Sequence, residues 1–196
     1  MCITGGRKFN TKKSKGFTLV ELLVAVAVFG LVGGVAVGVC ISGLHAQRKT
    51  LASQEILSQA GYLMEYMSRT IRMAKKEFND PPSCLSERGL NYEFTDIIPG
   101  FEGLKFINSQ GICQGFFLDN NDDRIKEWQE GYAEPLPLTS DKLKVNYFKI
   151  GPEDSWHQSS KEQSRVTIFL EIEDKKERSE IKIQTTTSQR DPNVIR

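Results

Sequence analysis

From Leu22 to Ile41 the chain runs for 20 residues without a charged side chain, LLVAVAVFGLVGGVAVGVCI. Coiled as a helix, a segment of that length rises about 30 Å, the thickness of a bilayer's hydrocarbon core. Such a run either crosses a membrane or is removed before the rest folds, so it constrains the chain more than any other feature. The charges around it are unequal. Residues 1–43 hold five basic residues, Arg7, Lys8, Lys12, Lys13 and Lys15, and one acid, Glu21. The whole chain has 26 basic and 25 acidic residues, so 44–196 keeps 21 and 24, a net charge of −3. By the positive-inside tendency the basic leader stays in the cytoplasm and the body goes to the other face, with Arg48 and Lys49 as exceptions on the far side. A total of +1 over 196 residues offers no basis for binding nucleic acid through phosphate neutralisation, and the length suits one ordinary domain plus an appendage.

Glu21 is the anomaly in this segment. A carboxylate in an apolar span costs roughly 2.5–3.5 kcal/mol at mid-membrane and less near an interface, and such residues usually have a function. A cleaved secretory signal or a plain anchor has no use for it. No A-x-A site closes the apolar run, and Cys40 follows Val39 where a lipoprotein signal needs a small residue. The stretch KSKGFTLVELLVAVAVFGLVG, Lys13 to Gly33, instead closely resembles the cleavage and methylation segment of type IV prepilins and type II secretion pseudopilins.

That resemblance implies cleavage after Gly16 by a prepilin peptidase, and N-methylation of Phe17 by the same enzyme, which makes Glu21 the fifth residue of the mature chain. Glycine at the cut lets an extended backbone enter a protease site, and a basic leader holds it at the membrane surface. A buried Glu21 becomes tolerable when paired, and the N-terminal ammonium of a neighbouring subunit is the implied partner. Pairing between staggered subunits favours a helical filament over a closed ring. The implied partners are other pilin or pseudopilin subunits, an inner-membrane assembly platform and membrane lipid, and the shape resembles minor components, the J-type pseudopilin in particular. Gly30, Gly34 and Gly38 lie on one helical face in two overlapping G-x-x-x-G patterns. They serve close helix packing or, as the resemblance implies, local melting in filaments, or merely reflect the frequency of glycine in membrane helices.

Beyond the span, 44–78 lacks proline and spaces Leu57, Ala60, Met64, Met67, Ile71, Ala74 and Phe78 by threes and fours, predicting a continued amphipathic helix. The run NDPPS at Asn79–Ser83 ends it. The remaining 79–196 reads as an antiparallel sheet, with strands over 104–108, 112–118, 124–128, 142–150, 165–173 and 179–187. Val166, Ile168, Leu170 and Ile172 alternate most clearly. The expected fold is α+β and pilin-like: a long N-terminal helix, half membrane and half amphipathic, packed on an antiparallel β head. Its segments are a leader 1–16, a membrane and assembly helix 17–43, an amphipathic helix 44–78 and a head 79–196.

Little in the head suggests chemistry. Cys84 and Cys113 are the two cysteines left outside the leader and span, and an exported pair forms a disulfide or stays as two buried thiols. Asp119, Asn121, Asp123 and Glu130 occupy positions 1, 3, 5 and 12 of a calcium loop, but Arg124 stands where the turn calls for glycine, and an acidic hairpin turn fits better. Some pseudopilins bind calcium in the head, so calcium stays as the one cofactor candidate. His45 and His157 belong to no ligand or nucleophile motif, and no G-x-S-x-G, phosphate loop or H-E-x-x-H occurs. The expected function is a non-enzymatic structural subunit of a type IV pilus or type II secretion pseudopilus. The alternative is a single-pass, membrane-anchored extracytoplasmic binding module that does not polymerise.

Overall fold

The structure, a computed structural model, describes residues 16–154, 156 and 163–190. The leader up to Lys15, and His157 with its loop neighbours, lie outside the described residues. The chain divides into two compact units, Met1–Ala46 and Gln47–Arg196. One helix, α1 (Leu19–Arg72), contributes to both.

In the first unit α1 is built from the apolar run, with a mean hydropathy of 2.6 over its most apolar window, and none of that window is buried. Thr18 caps it: its hydroxyl accepts the Glu21 amide N–H at 3.3 Å, and its carbonyl accepts the Leu22 N–H at 3.2 Å. Thr18, Leu19, Val20, Glu21 has the T-x-x-E spacing of a capping box, of which the Thr18 half is formed, and the acid in the first turn complements the helix dipole.

The second unit holds the rest of α1 and two antiparallel sheets. Strands β1 (Tyr92–Ile98), β2 (Phe101–Ile107), β3 (Cys113–Asp119), β4 (Arg124–Gln129) and β5 (Leu136–Pro137) form a five-stranded meander in chain order. Strands β6 (Leu143–Gly151), β7 (Arg165–Asp174) and β8 (Glu180–Ser188) form a separate three-stranded sheet, again in chain order. Short turns enforce this. Gly100 and Gly111, at φ +86° each, turn β1 into β2 and β2 into β3 in a conformation that a side chain would oppose. The single sheet expected from the sequence is therefore two. The backbone joins them where the Val145 N–H donates to the Asp123 carbonyl at 2.9 Å.

The core lies between the amphipathic part of α1 and both sheets. Ile56, Ala60, Leu63, Met64, Met67 and Ile71 meet Leu104, Phe106, Phe116 and Ile125 of the larger sheet, and Val166, Ile168, Leu170 and Ile172 of the smaller. Each large apolar side chain removed from water in this way stabilises the fold by about 1.5–3 kcal/mol. The buried stripe differs from the expected one at its ends, since Leu57 is 53% exposed and Phe78 40% exposed, while Ile56 and Leu63 are inside.

The helix also ends earlier than expected, at Arg72 instead of Phe78. Neither glycine nor proline stops it; tertiary pairing does. Lys75 N–H donates to the Ile107 carbonyl at 2.8 Å and Glu77 N–H to the Leu90 carbonyl at 2.9 Å, so 73–78 runs along the larger sheet and its neighbouring loop. The freed helix carbonyls find other donors, Tyr92 hydroxyl on Ile71 and Arg190 N–H on Arg72, and Gln189 Nε2 donates to the Ala74 carbonyl just past the end, all at 2.8–2.9 Å.

Candidate processing and assembly segment

Gly16 and Phe17 precede the first helical residue and are exposed. A peptide bond that must enter a protease cleft needs extended, accessible backbone, and the start of α1 at Leu19 leaves the Gly16–Phe17 bond outside the helix. Thr18 is the residue that sets this boundary. Sequence reasoning passed over it, although Ser or Thr three residues before an acid and an apolar run is the signal of a capped helix start.

Glu21 follows one turn later and is exposed together with the apolar side chains from Leu19 to Ile41. Its side chain has no hydrogen-bond or ion-pair partner among the described residues. Exposed apolar surface on this scale is not tolerated in water and marks contact with lipid or with other subunits. Gly30, Gly34 and Gly38 present open faces, because a Cβ built on any of them would meet nothing within 4 Å. Glycine at these places is therefore not required by packing within the chain. Ser42 returns its hydroxyl to the Gly38 carbonyl at 3.0 Å, and Cys40 is a free, exposed thiol.

In the second unit Cys84 and Cys113 are joined as a disulfide, with Cα atoms 5.5 Å apart across 29 residues of sequence. The bridge packs with Leu85 and Ile107 in a small second core. It ties the 79–91 loop to the start of β3. The same loop is organised by Glu77, which is fully buried. Its carboxylate accepts the amide N–H groups of Asn79 at 3.0 Å, Ser83 at 3.1 Å and Cys84 at 2.9 Å. Burial pushes the Glu77 carboxyl up, but these amides and that of Leu85 outweigh it and hold the group below the usual carboxylate range. No sequence pattern had singled out Glu77, since its donors are loop amides that carry no side-chain signature.

A buried polar chain joins α1 to β3 and β4. Asn108 Nδ2 donates to Gln114 Oε1 at 3.1 Å, Gln114 Nε2 donates to Glu127, and Tyr66 hydroxyl donates to Glu127 Oε2 at 2.8 Å. Burial, reinforced by that carboxylate, pushes the Tyr66 phenol up to about 12, so it remains a donor at physiological pH.

The calcium candidates lie at the β3–β4 turn. Lys126 Nζ sits 2.6 Å from Asp119 Oδ2 and 2.9 Å from Asp122 Oδ2, and Arg124 Nη2 is 2.7 Å from Asp122 Oδ2. Asp119 Oδ1 accepts the Asn121 N–H at 2.9 Å, in an Asx turn. Asp123 is in the left-handed region at φ +57° and faces Lys144 at 3.9 Å, and Glu130 lies beyond the end of β4. Among the described residues no group of three His, Cys, Asp or Glu side chains comes together in a form that could hold a metal ion. His45 is exposed on α1.

Residues 11–37 match the family described as the prokaryotic N-terminal methylation motif. No curated protein and no solved structure matches the chain. The matched segment contains Gly16, Phe17, Thr18 and Glu21 and the first two glycine turns of the apolar helix, and it stands ahead of an α+β, pilin-like arrangement. Over residues 11–37 the chain thus carries the prokaryotic N-terminal methylation motif, the segment in which it resembles type IV prepilins and pseudopilins.

Proposed function

We propose that this chain is a minor pilin-like or pseudopilin-like structural subunit, cut after Gly16 and N-methylated at Phe17 by a prepilin peptidase. It is assembled through α1 with other subunits, from an inner-membrane platform, into a type IV pilus or a type II secretion pseudopilus. The observation that carries this reading is the methylation motif over 11–37.

Other features support it. The bond to be cut lies in accessible backbone ahead of a capped helix. The disulfide suits a head outside the cytoplasm, because such bonds persist in oxidising compartments. The open faces of Gly30, Gly34 and Gly38 leave room for a neighbouring helix to approach closely.

Intact mass and N-terminal sequence of the chain, taken from membranes of a host with an active prepilin peptidase, test the reading. The expected product begins at Phe17 and carries one added methyl group. A chain that keeps residues 1–16 in the presence of active peptidase makes the span an ordinary anchor, and the non-polymerising binding module then replaces the filament subunit.

A further inference from the structure

Arg48 and Lys49 stand on the side of the span where cations are normally sparse. In the second unit Arg48 is not alone. With Leu51, Ala52 and Glu55 of α1, the start of β6 and the β7–β8 turn, it lines a groove of about 710 Å³. The groove's far wall brings Lys142, Lys175 and Lys176, and Arg178 belongs to the same turn.

Side-chain hydrogen bonds shape the turn. Asp174 Oδ1 accepts the Lys176 N–H at 2.9 Å and also the Glu177 N–H, while Lys175 Nζ donates to the Asp141 carbonyl at 2.9 Å. Lys142 Nζ lies 3.4 Å from Glu55 Oε1. Arg48, Lys49, Lys176 and Arg178 have no ion-pair partner among the described residues. Leu51, which lines the groove with Arg48, is 64% exposed.

The groove's own lining balances, with Arg48, Lys142, Lys175 and Lys176 against Glu55, Asp141, Asp174 and Glu177; Lys49 and Arg178, the chain neighbours that flank it, bring the set to +2, while the rest of Gln47–Arg196 carries −5. Arg48 comes only seven residues after Ile41, the last residue of the uncharged run. Those residues reach about 10 Å as a helix and no more than about 25 Å fully extended, so connectivity alone keeps Arg48, on one wall of the groove, within that distance of the end of the run.

We propose that this cationic end, Arg48, Lys49, Lys142, Lys175, Lys176 and Arg178 with Leu51, docks on the anionic headgroups of the membrane that holds the unassembled chain. Cations draw to an anionic surface within a Debye length of it, and an exposed leucine among them inserts at the headgroup boundary. The inference rests on the membrane span of the preceding proposal. It gives Arg48 and Lys49 a reason to lie beyond that span: they are anchors for the waiting subunit, which must release them when it enters a filament.

The β7–β8 turn supplies its own probe, because trypsin cuts after Lys175, Lys176 and Arg178. The full chain is placed in lipid nanodiscs of phosphatidylcholine alone, or with roughly one-third phosphatidylglycerol, and cleavage at each bond is followed by mass spectrometry. Cleavage after these three residues is expected to be roughly fivefold slower in the anionic discs, and to recover at about 0.5 M salt. Cleavage after Arg88, exposed in a distant loop, serves as reference and keeps one rate throughout. Arg48→Glu with Lys49→Glu, which leaves every reporter bond in place, restores fast cleavage in anionic discs, and an unchanged Arg88 rate shows that the variant is folded. Equal cleavage of the turn in both lipids overturns the docking. So does equal protection by inorganic phosphate in neutral discs, which would make the groove a simple anion site. A chain that is not retained in the discs at all removes the span, and the filament reading with it, whereas a retained chain with an unprotected turn removes only the docking.

Discussion

Glu77 is a buried carboxylate with amide donors in place of a cation, and the chemistry of the 79–91 loop follows from that single residue. Three backbone N–H groups at 2.9–3.1 Å converge on it and bring Cys84 to the position from which it reaches Cys113. Hydrogen bonds to a charged acceptor contribute about 1.5–3 kcal/mol each, and buried amides left without an acceptor cost a comparable amount. Glu77→Gln keeps the shape but turns an amino group toward donors, so it is expected to lower stability by about 2–3 kcal/mol. Its pH dependence distinguishes this cause from a packing defect. Because the folded state holds the Glu77 carboxyl below its unfolded value, the group contributes stability above the ordinary Glu range near 4.3, and that stability is lost as pH falls through the depressed folded value. Urea unfolding in detergent, followed by the fluorescence of Trp128 and Trp156, should show wild type losing stability on acidification below pH 4 or so, with Glu77→Gln losing less over that window. Parallel losses in the two proteins would assign the acid sensitivity to other carboxylates.

At the scale of elements, the larger sheet depends on two glycines and one bulge. The register of β1 on β2 shifts between Asp96 and Ile98, and Ile97 at that irregularity turns its side chain over Gly103 of β2 and Gly115 of β3. A Cβ on Gly115 would lie 2.6 Å from Ile97 Cδ1 and 3.0 Å from the Leu104 carbonyl, so its main obstacle is the end of a side chain. A Cβ on Gly103 would lie 2.2 Å from the Phe116 carbonyl, which is backbone and cannot yield. Overpacking of this kind costs about 1–3 kcal/mol. Ile97→Val removes the obstructing methyl, so it should recover much of the loss in Gly115→Ala and little of that in Gly103→Ala. Urea midpoints of the three single and two double variants decide it, and equal rescue of both would mean that the bulge, not the clash, sets the cost. The same elements show what the sequence made legible. Strand β7 could be read from Val166, Ile168, Leu170 and Ile172 because one face is buried throughout. Strand β1 was missed because it is an edge strand with Phe94 partly in solvent and Glu93 and Asp96 among its residues, so no alternation stands out. The end of α1 at Arg72 was unreadable for a different reason: it is set by hydrogen bonds of Lys75 to Ile107, Glu77 to Leu90 and Ile71 to Tyr92, pairs 13 to 32 residues apart in sequence. The methylation segment, by contrast, is a local pattern, legible in full except for the cap at Thr18.

For the whole molecule, the question is what covers a helix whose first half is exposed and apolar, with one carboxylate near its start. Lipid can cover the apolar side chains but gives Glu21 no counter-charge, whereas a filament can supply the N-terminal amine of a neighbour. Glu21→Gln separates these roles because the cap uses the backbone N–H of residue 21, not its side chain, so the start of α1 survives the change. Cleavage after Gly16 depends on the segment before the helix and should be unaffected. Membrane integration should be equal or better, since removing the charge relieves an insertion cost of up to about 2.5–3.5 kcal/mol at mid-membrane. Incorporation should fall by at least about tenfold, because breaking a buried pair leaves the partner's ammonium uncompensated in the filament. The comparison to make is the fraction of processed chain in sheared or purified filaments against the fraction in membranes, for wild type and Glu21→Gln expressed at one level. Loss of processed chain from the membrane fraction would mean that Glu21 acts before assembly. Undiminished incorporation would remove the pairing role and leave Glu21 as a first-turn acid that complements the dipole of its own helix.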